Sequence, residues 1–263
     1  MRSKLYWNGN AAKTKVIDEI LSVTEVRRAQ GEIVTLFEYG CGGAGDWPVI
    51  LAENKGFRLI GYEPHGPSYE KACSRLRGFD VELYTGNQLA EKTFFADYGV
   101  SFSVFEHVYD RMGYLATVKR HLAPGGTFYL NYDDGHFRNF LDLSVPKTWA
   151  TTLSEFSHNL LAGSLARLGK VGYFQKRVNR ADADALVPAA GLVARDSFYS
   201  NLGSMKALAK TLPESKRGEF SRLWVELEDA LNAKFKVEGP ARLGDTLNLW
   251  PSMGSRTLVL EHA

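Results

Sequence analysis

The amino-acid sequence predicts an α/β fold, a doubly wound, mostly parallel seven-stranded sheet with helical additions in its C-terminal half. Short apolar runs rich in β-branched and aromatic residues alternate with segments of helical periodicity, as in successive βαβ units. Glycine and proline turns separate the two kinds of segment. The 263 residues are 44% hydrophobic and 24% charged, which is typical of globular chains.

The individual elements follow from these patterns. Residues 33–37 form a continuous apolar run, typical of a strand that is buried on both faces. Asp46 and Pro48 have the residue types of a helix cap and first turn, and Asp110 is a second predicted cap. Strands are predicted at residues 33–37, 57–62, 81–84, 100–104, 127–132, 192–198 and 257–261. Helices are predicted at residues 11–30, 49–53, 67–76, 110–122, 145–186 and 203–233, the last with a break at Pro213.

Charge and composition argue against several classes of function. The net charge is only +2 and no dense Lys or Arg run occurs, so a nucleic-acid partner is not expected. No apolar window reaches the length of a membrane span, and the first residues lack the apolar core of a signal peptide. Cys41 and Cys73 cannot form a disulfide or zinc framework by themselves. We therefore expect a cytoplasmic protein without a membrane partner.

A glycine-rich loop at residues 40–45 is the strongest chemical signal. It lies between a predicted strand and a predicted helix, where glycines allow tight turns and close approach of a ligand. Glu63 follows 23 residues after Gly40, at the end of the next strand, and a carboxylate there can accept both hydroxyls of a ribose. The loop lacks the Gly-Lys-Ser/Thr ending of a triphosphate site, and Glu38 would repel a pyrophosphate. The alternative is a purely structural turn, with Glu38 capping nearby amides.

These features resemble the motifs of class I S-adenosylmethionine (SAM)-dependent methyltransferases. Residues 38–42, Glu-Tyr-Gly-Cys-Gly, resemble the family's first motif, and Glu63 matches the acidic residue that ends its second strand. Residues 97–108 resemble the fourth-strand motif, and residues 122–128 the turn into the fifth strand. The matches occur in order across about half of the chain. Ala44 departs from a common third glycine, and Asn87 stands where an aspartate often binds the adenine amino group.

The resemblance implies a Rossmann-like fold, SAM as the cofactor and S-adenosylhomocysteine as its product. Gly40, Gly42 and Glu38 would surround the methionine part, and Glu63 would hold the ribose. The implied cofactor-binding residues are Glu38, Gly40, Cys41, Gly42, Glu63, Pro64, Asn87, Gln88, Leu89, Ser103 and Phe105. The whole chain would be a single domain, in which residues 1–32 form a helical lid, 33–140 the cofactor-binding core, and 141–263 a helical substrate cap with the last strands.

The acceptor site is expected beyond the fourth and fifth strands. His107, His136 and Asp133 are the candidate catalytic residues, because an oxygen nucleophile needs a general base and histidine titrates near neutrality. His107 is alternatively a packing residue, and residues 131–137 a solvated turn. The spacing selects no metal site, although Glu106, His107 and Asp133 or Asp134 have ligand types suited to Mg²⁺.

The predicted function is methyl transfer to a small-molecule acceptor, with O-methylation slightly favoured over N-methylation. A nicotinamide-dependent Rossmann oxidoreductase is one alternative, and a non-catalytic SAM-binding protein of the same fold is another. The sequence leaves the acceptor and the oligomeric state open.

Overall fold

A computed structural model describes residues 10–133, 160–161, 163–165, 167–168, 178, 180–238 and 253–263. The strands are β1 Val34–Tyr39, β2 Phe57–Tyr62, β3 Val81–Tyr84, β4 Ala96–Phe102, β5 Leu122–Asp133, β6 Leu192–Leu202 and β7 Met253–His262. The α-helices are α1 Ala11–Ala29, α2 Trp47–Glu53, α3 Gly66–Arg75, α4 Arg111–His121, α5 Arg180–Ala189, α6 Gly203–Thr211 and α7 Glu214–Glu238. Short 3₁₀ turns lie at Gln88–Glu91 and Phe105–His107.

The strands form one seven-stranded sheet in the order β3-β2-β1-β4-β5-β7-β6. The pairs β3-β2, β2-β1, β1-β4 and β4-β5 are parallel, and β7 runs antiparallel to both β5 and β6. The predicted fold class is therefore confirmed. Because the chain order reverses beside β1, the carboxyl ends of β1 and β4 flank the crevice in which such sheets bind ligands.

Helices cover both faces of the sheet, so the parallel strands are buried on both sides. The neighbouring residues Leu36 and Phe37 of β1 belong to two different core clusters, one on each face. One face packs against α1, α2 and α3, and the other packs against α4 and α5. Helix α7 lies against α1 and β6. None of the described helices is long and apolar enough to cross a membrane.

Helix α1 is part of this core. Its buried residues Val16, Ile17 and Ile20 pack in the cluster that contains Leu36 and Trp47. Residues 11–29 of the predicted lid segment are thus a structural layer on the sheet. The first nine residues of the predicted lid segment lie outside the described residues.

Several element boundaries differ from the predictions. Strand β4 begins at Ala96, four residues earlier than predicted. It ends at Phe102, two residues earlier than predicted, because Ser103 has a left-handed φ of 54°. Strand β5 begins at Leu122, and the predicted turn at Gly125 is a register irregularity inside the β4-β5 ladder, where Gly125 has a φ of 78°. The Asp46 side chain makes no capping hydrogen bond.

The predicted break at Pro213 separates α6 from α7. The predicted helix at residues 145–186 lies mostly outside the described residues, apart from helical residues at 160–161, 163–165 and 167 and the start of α5.

A buried polar network attaches α7 to the end of β6. The Glu228 carboxylate accepts the Leu202 amide at 2.8 Å and the Trp224 indole N–H at 2.6 Å. The Asn232 amide side chain pairs with both the N–H and the C=O of Tyr199, at 2.7 and 2.8 Å. Burial raises the pKa of Glu228 to about 7, although these hydrogen bonds oppose the shift.

We expect this raised pKa to make stability depend on pH. The folded state holds the Glu228 proton up to about pH 7, whereas an unfolded glutamate loses it near pH 4.3. The contribution of Glu228 is thus fully present below pH 4 and is lost as the pH rises towards 7, by an amount on the order of 3 kcal/mol. Glu228→Gln should flatten the decline in melting temperature between pH 5 and pH 8.

The control for this measurement is Glu226→Gln, which changes an exposed carboxyl of the same helix. This variant should follow the wild-type pH profile. If the melting temperature of Glu228→Gln declines as steeply as that of the wild type, the Glu228 carboxyl does not titrate in this range.

Candidate functional site

The glycine-rich loop connects β1 to α2 and is held by the end of β2. The Gly40 and Cys41 amides both donate to the Tyr62 carbonyl, at 2.8 and 3.0 Å. Gly40 has a φ of 80°, and a Cβ placed on it would lie 2.4 Å from Val104 Cγ2. Both facts require glycine at position 40. The loop therefore lies in contact with Val104, two residues after the end of β4.

Glu63, the residue after Tyr62, also stabilises the loop by hydrogen bonds. Its Oε2 accepts the Gly42 amide at 2.8 Å, and its Oε1 accepts the His65 amide at 2.9 Å. The carboxylate is only 8% exposed. Each carboxylate oxygen has a second lone-pair direction, so Glu63 can hold both amides and still accept hydrogen bonds from a ligand. The residue predicted to bind ribose is thus also the residue that fixes the loop.

Glu38 lies beneath the loop rather than on its surface. It is 2% exposed, and its Oε2 accepts a short hydrogen bond from the indole N–H of Trp47. Its Oε1 lies 3.5 Å from Lys13 Nζ, which α1 supplies. A buried carboxylate of this kind is tolerated because it is paired and hydrogen-bonded. Lys13 carries no signal in the sequence, since only the apolar positions of α1 form a pattern.

Cys41 faces the protein interior. Burial raises the pKa of its thiol well above the ordinary value, and the nearby Glu38 and Glu63 carboxylates add to this shift. A Cβ placed on Gly61 would come within 3.1 Å of the sulfur. The thiol therefore stays protonated at neutral pH and is a packing group rather than a nucleophile. Its contribution to the loop is the backbone amide that donates to Tyr62.

The segment after β3 carries the residues that were predicted to flank adenine. Asn87 and Gln88 are exposed, whereas Leu89 is buried in the core. The Gln88 side-chain oxygen accepts the Thr85 amide at 2.9 Å, which orders the turn. Pro64 is half-buried directly after Glu63.

The residues that follow the end of β4 form a further side of the crevice. Ser103 is exposed in a left-handed conformation, and its amide donates to the Asn131 carbonyl at 3.1 Å. Phe105 is fully buried against Tyr114 and Tyr132, with ring centroids at 5.3 and 6.2 Å. Phe105 is thus a core residue, and the structure exposes none of its side chain to the crevice.

The predicted catalytic residues are only partly covered by the described structure. His107 is exposed at the end of the 3₁₀ turn after β4. The main chain of Asp133 ends β5 opposite Ser255 of β7. The Asp133 side chain and His136 lie outside the described residues. Across the described part of the chain, no three His, Cys, Asp or Glu residues are grouped so that they could hold a metal ion.

Comparison with known proteins assigns this arrangement to a family. Residues 12–177 match the model of a family described as a methyltransferase domain. No significant relative was found among curated protein sequences.

Solved structures with the same fold are similar to this protein over most of its chain. The cyclopropane synthase MmaA2 from Mycobacterium tuberculosis is 15% identical, with a TM-score of 0.52 over 87% of this chain and 78% of its own. The geranyl diphosphate C-methyltransferase from Streptomyces coelicolor A3(2), solved with Mg²⁺, geranyl diphosphate and S-adenosylhomocysteine, is 13% identical, with a TM-score of 0.51 over 93% and 78%.

The family match covers more than half of the chain and includes the glycine loop, Glu63 and the exit of β4. It confirms the family and the cofactor that the sequence motifs predicted. The chain therefore belongs to the methyltransferase-domain family and is a SAM-dependent methyltransferase.

Proposed function

We propose that this enzyme transfers the methyl group of SAM to a small-molecule acceptor in the cytoplasm, with an oxygen nucleophile favoured over nitrogen. The observation that carries the proposal is the double hydrogen bonding of Glu63 to the Gly42 and His65 amides, at 2.8 and 2.9 Å. It joins the carboxylate that we assign to the ribose to both the glycine loop and the start of α3. The near-neutral net charge and the free thiols of Cys41 and Cys73 support the small acceptor and the reducing compartment.

The residues of the crevice fit the cofactor. A Cβ on Gly42 would meet no described atom within 4 Å, so the loop leaves open space on that side for the methionine part. Glu63 retains acceptor capacity for the ribose hydroxyls. The side-chain oxygen of the exposed Asn87 can accept from the adenine amino group, while Leu89 fixes this segment by its burial in the core. Bound SAM supplies an electrophilic methyl group on its sulfonium.

The protein's part in the reaction is to orient the acceptor and remove its proton. Ser103 at the exit of β4 would form the floor beside the reacting centre, with Phe105 in the core behind it. Positioning of this kind lowers barriers by up to about 7–11 kcal/mol in ideal cases. His107, His136 and Asp133 are the candidates for the general base, because they follow the two strands that end nearest the acceptor side.

The function is tested first by calorimetric titration with S-adenosylhomocysteine, with NADH as the control ligand. Release of S-adenosylhomocysteine from SAM is then measured with a panel of hydroxyl, amine and carbon acceptors. The carbon acceptors are included because one structure of this fold is a C-methyltransferase. Turnover of a hydroxylated acceptor would support the proposal, and turnover restricted to a macromolecule would contradict it.

Replacement of Glu63 tests the ribose assignment. Glu63→Ala removes the acceptor for two ribose hydroxyls, each worth about 1.5–3 kcal/mol with a charged partner. The affinity for S-adenosylhomocysteine should fall at least tenfold in calorimetry. Glu82→Ala, which removes a carboxylate from β3 that pairs with Arg58 at the surface, should bind normally. Wild-type affinity in a folded Glu63→Ala variant would refute the assignment.

The catalytic assignment is tested by His107→Ala and His136→Ala. A variant that has lost the general base should bind S-adenosylhomocysteine as the wild type does but lose turnover of the acceptor found in the panel, by about 10²- to 10⁴-fold. If both variants keep full turnover, Asp133 is the next candidate, or the acceptor needs no base.

A further inference from the structure

The charged group beside Gly45 of the glycine loop is a cation, although the sequence motif placed the acidic Glu38 at the methionine part of the cofactor. Glu38 is the acidic residue of the motif, yet its side chain is only 3% exposed, whereas that of Lys13 is 13% exposed. Lys13 Nζ lies 3.5 Å from Glu38 Oε1 and 3.8 Å from the position of a Cβ on Gly45. The ammonium is therefore positioned between the buried carboxylate and the backbone of the loop.

The surroundings fix the position of this ammonium. It lies 5.7 Å from the centroid of the Trp47 ring and 5.4 Å from that of Phe102, within the range of cation–π attraction. Helix α1 is anchored in the core by Val16 and Ile17, so the base of the lysine stem is held. A side chain fixed in this way loses little further entropy when it binds a ligand.

An ammonium has three N–H donors, and Glu38 is the one ion-pair partner of Lys13 among the described residues. SAM carries an α-carboxylate at its methionine end. If this carboxylate is bound beside the loop backbone, it can accept hydrogen bonds from the N–H donors of the Lys13 ammonium. Direct contact between the ligand and Glu38 would instead require the buried Glu38 side chain to become exposed.

We propose that Lys13 is a specificity-determining residue that binds the α-carboxylate of SAM, and that Glu38 acts through Lys13 by orienting its ammonium. The inference rests on the placement of SAM at the glycine loop in the proposed function. The opposing interpretation is that the ion pair only joins α1 to β1.

The experiment compares two ligands that differ in a single group, SAM and its decarboxylated form. Binding of each is measured by calorimetry with the wild type, Lys13→Met and Lys13→Arg. The double variant Lys13→Met/Glu38→Gln removes both charges, so that no unpaired buried carboxylate can unfold the protein. Lys15→Met is the matched control, because Lys15 is on the same helix but pairs with Asp229 of α7.

The wild type and Lys15→Met should prefer SAM over its decarboxylated form at least tenfold, which corresponds to about 1.4 kcal/mol. In the double variant this preference should approach one, while the affinity for decarboxylated SAM changes little. Lys13→Arg should retain most of the preference.

Two results would overturn the inference. One is an unchanged preference in the Lys13 variants, and the other is an equal loss of affinity for both ligands, which is the result of a purely structural ion pair. If the wild type binds neither ligand, the proposed cofactor site itself fails together with the inference.

Discussion

The hydrogen bonds that the end of β2 makes to the two loops beside it are the interaction on which the site depends. The Tyr62 carbonyl accepts the Gly40 and Cys41 amides, and the Glu63 carboxylate accepts those of Gly42 and His65. Four backbone donors that would otherwise be unsatisfied in a tight turn are paired in this way. The loop after β1 and the start of α3 therefore have one common anchor. A change at this anchor would displace every surface that a ligand contacts there.

A second constraint comes from the charge buried under the loop. Removing a carboxylate such as Glu38 from water costs several kcal/mol unless a partner and hydrogen bonds compensate. Lys13 from α1 and Trp47 from α2 supply both. The cost explains why three separate elements meet at this point. It also makes the packing of α1 on the sheet a requirement of the site, although α1 was expected from its position to be part of a lid.

A different set of hydrogen bonds stabilises the antiparallel end of the sheet. Glu228 and Asn232 of α7 bind backbone groups at the end of β6, and Asn201, with a left-handed φ of 66°, joins Ser255 of β7 to the first turn of α1. These polar groups satisfy an edge strand that has a sheet neighbour on one side only. The helical additions thus stabilise the sheet, whatever further part they have in binding the acceptor.

The sequence by itself determined the alternation of strands and helices, the glycine loop between β1 and α2, and the acidic residue at the end of β2. Each of these features is local in the chain: it shows as a hydrophobic period, as the residue types of a turn, or as a fixed spacing between two residues. Tertiary structure decided that Lys13 meets Glu38 and that Val104 touches Gly40, since contacts between distant segments leave no periodic signal. It also decided where β4 ends, because the left-handed Ser103 is stabilised by its hydrogen bond to Asn131 of the next strand. A residue's type indicates what chemistry it can perform, but only packing determines whether it faces a ligand or the core.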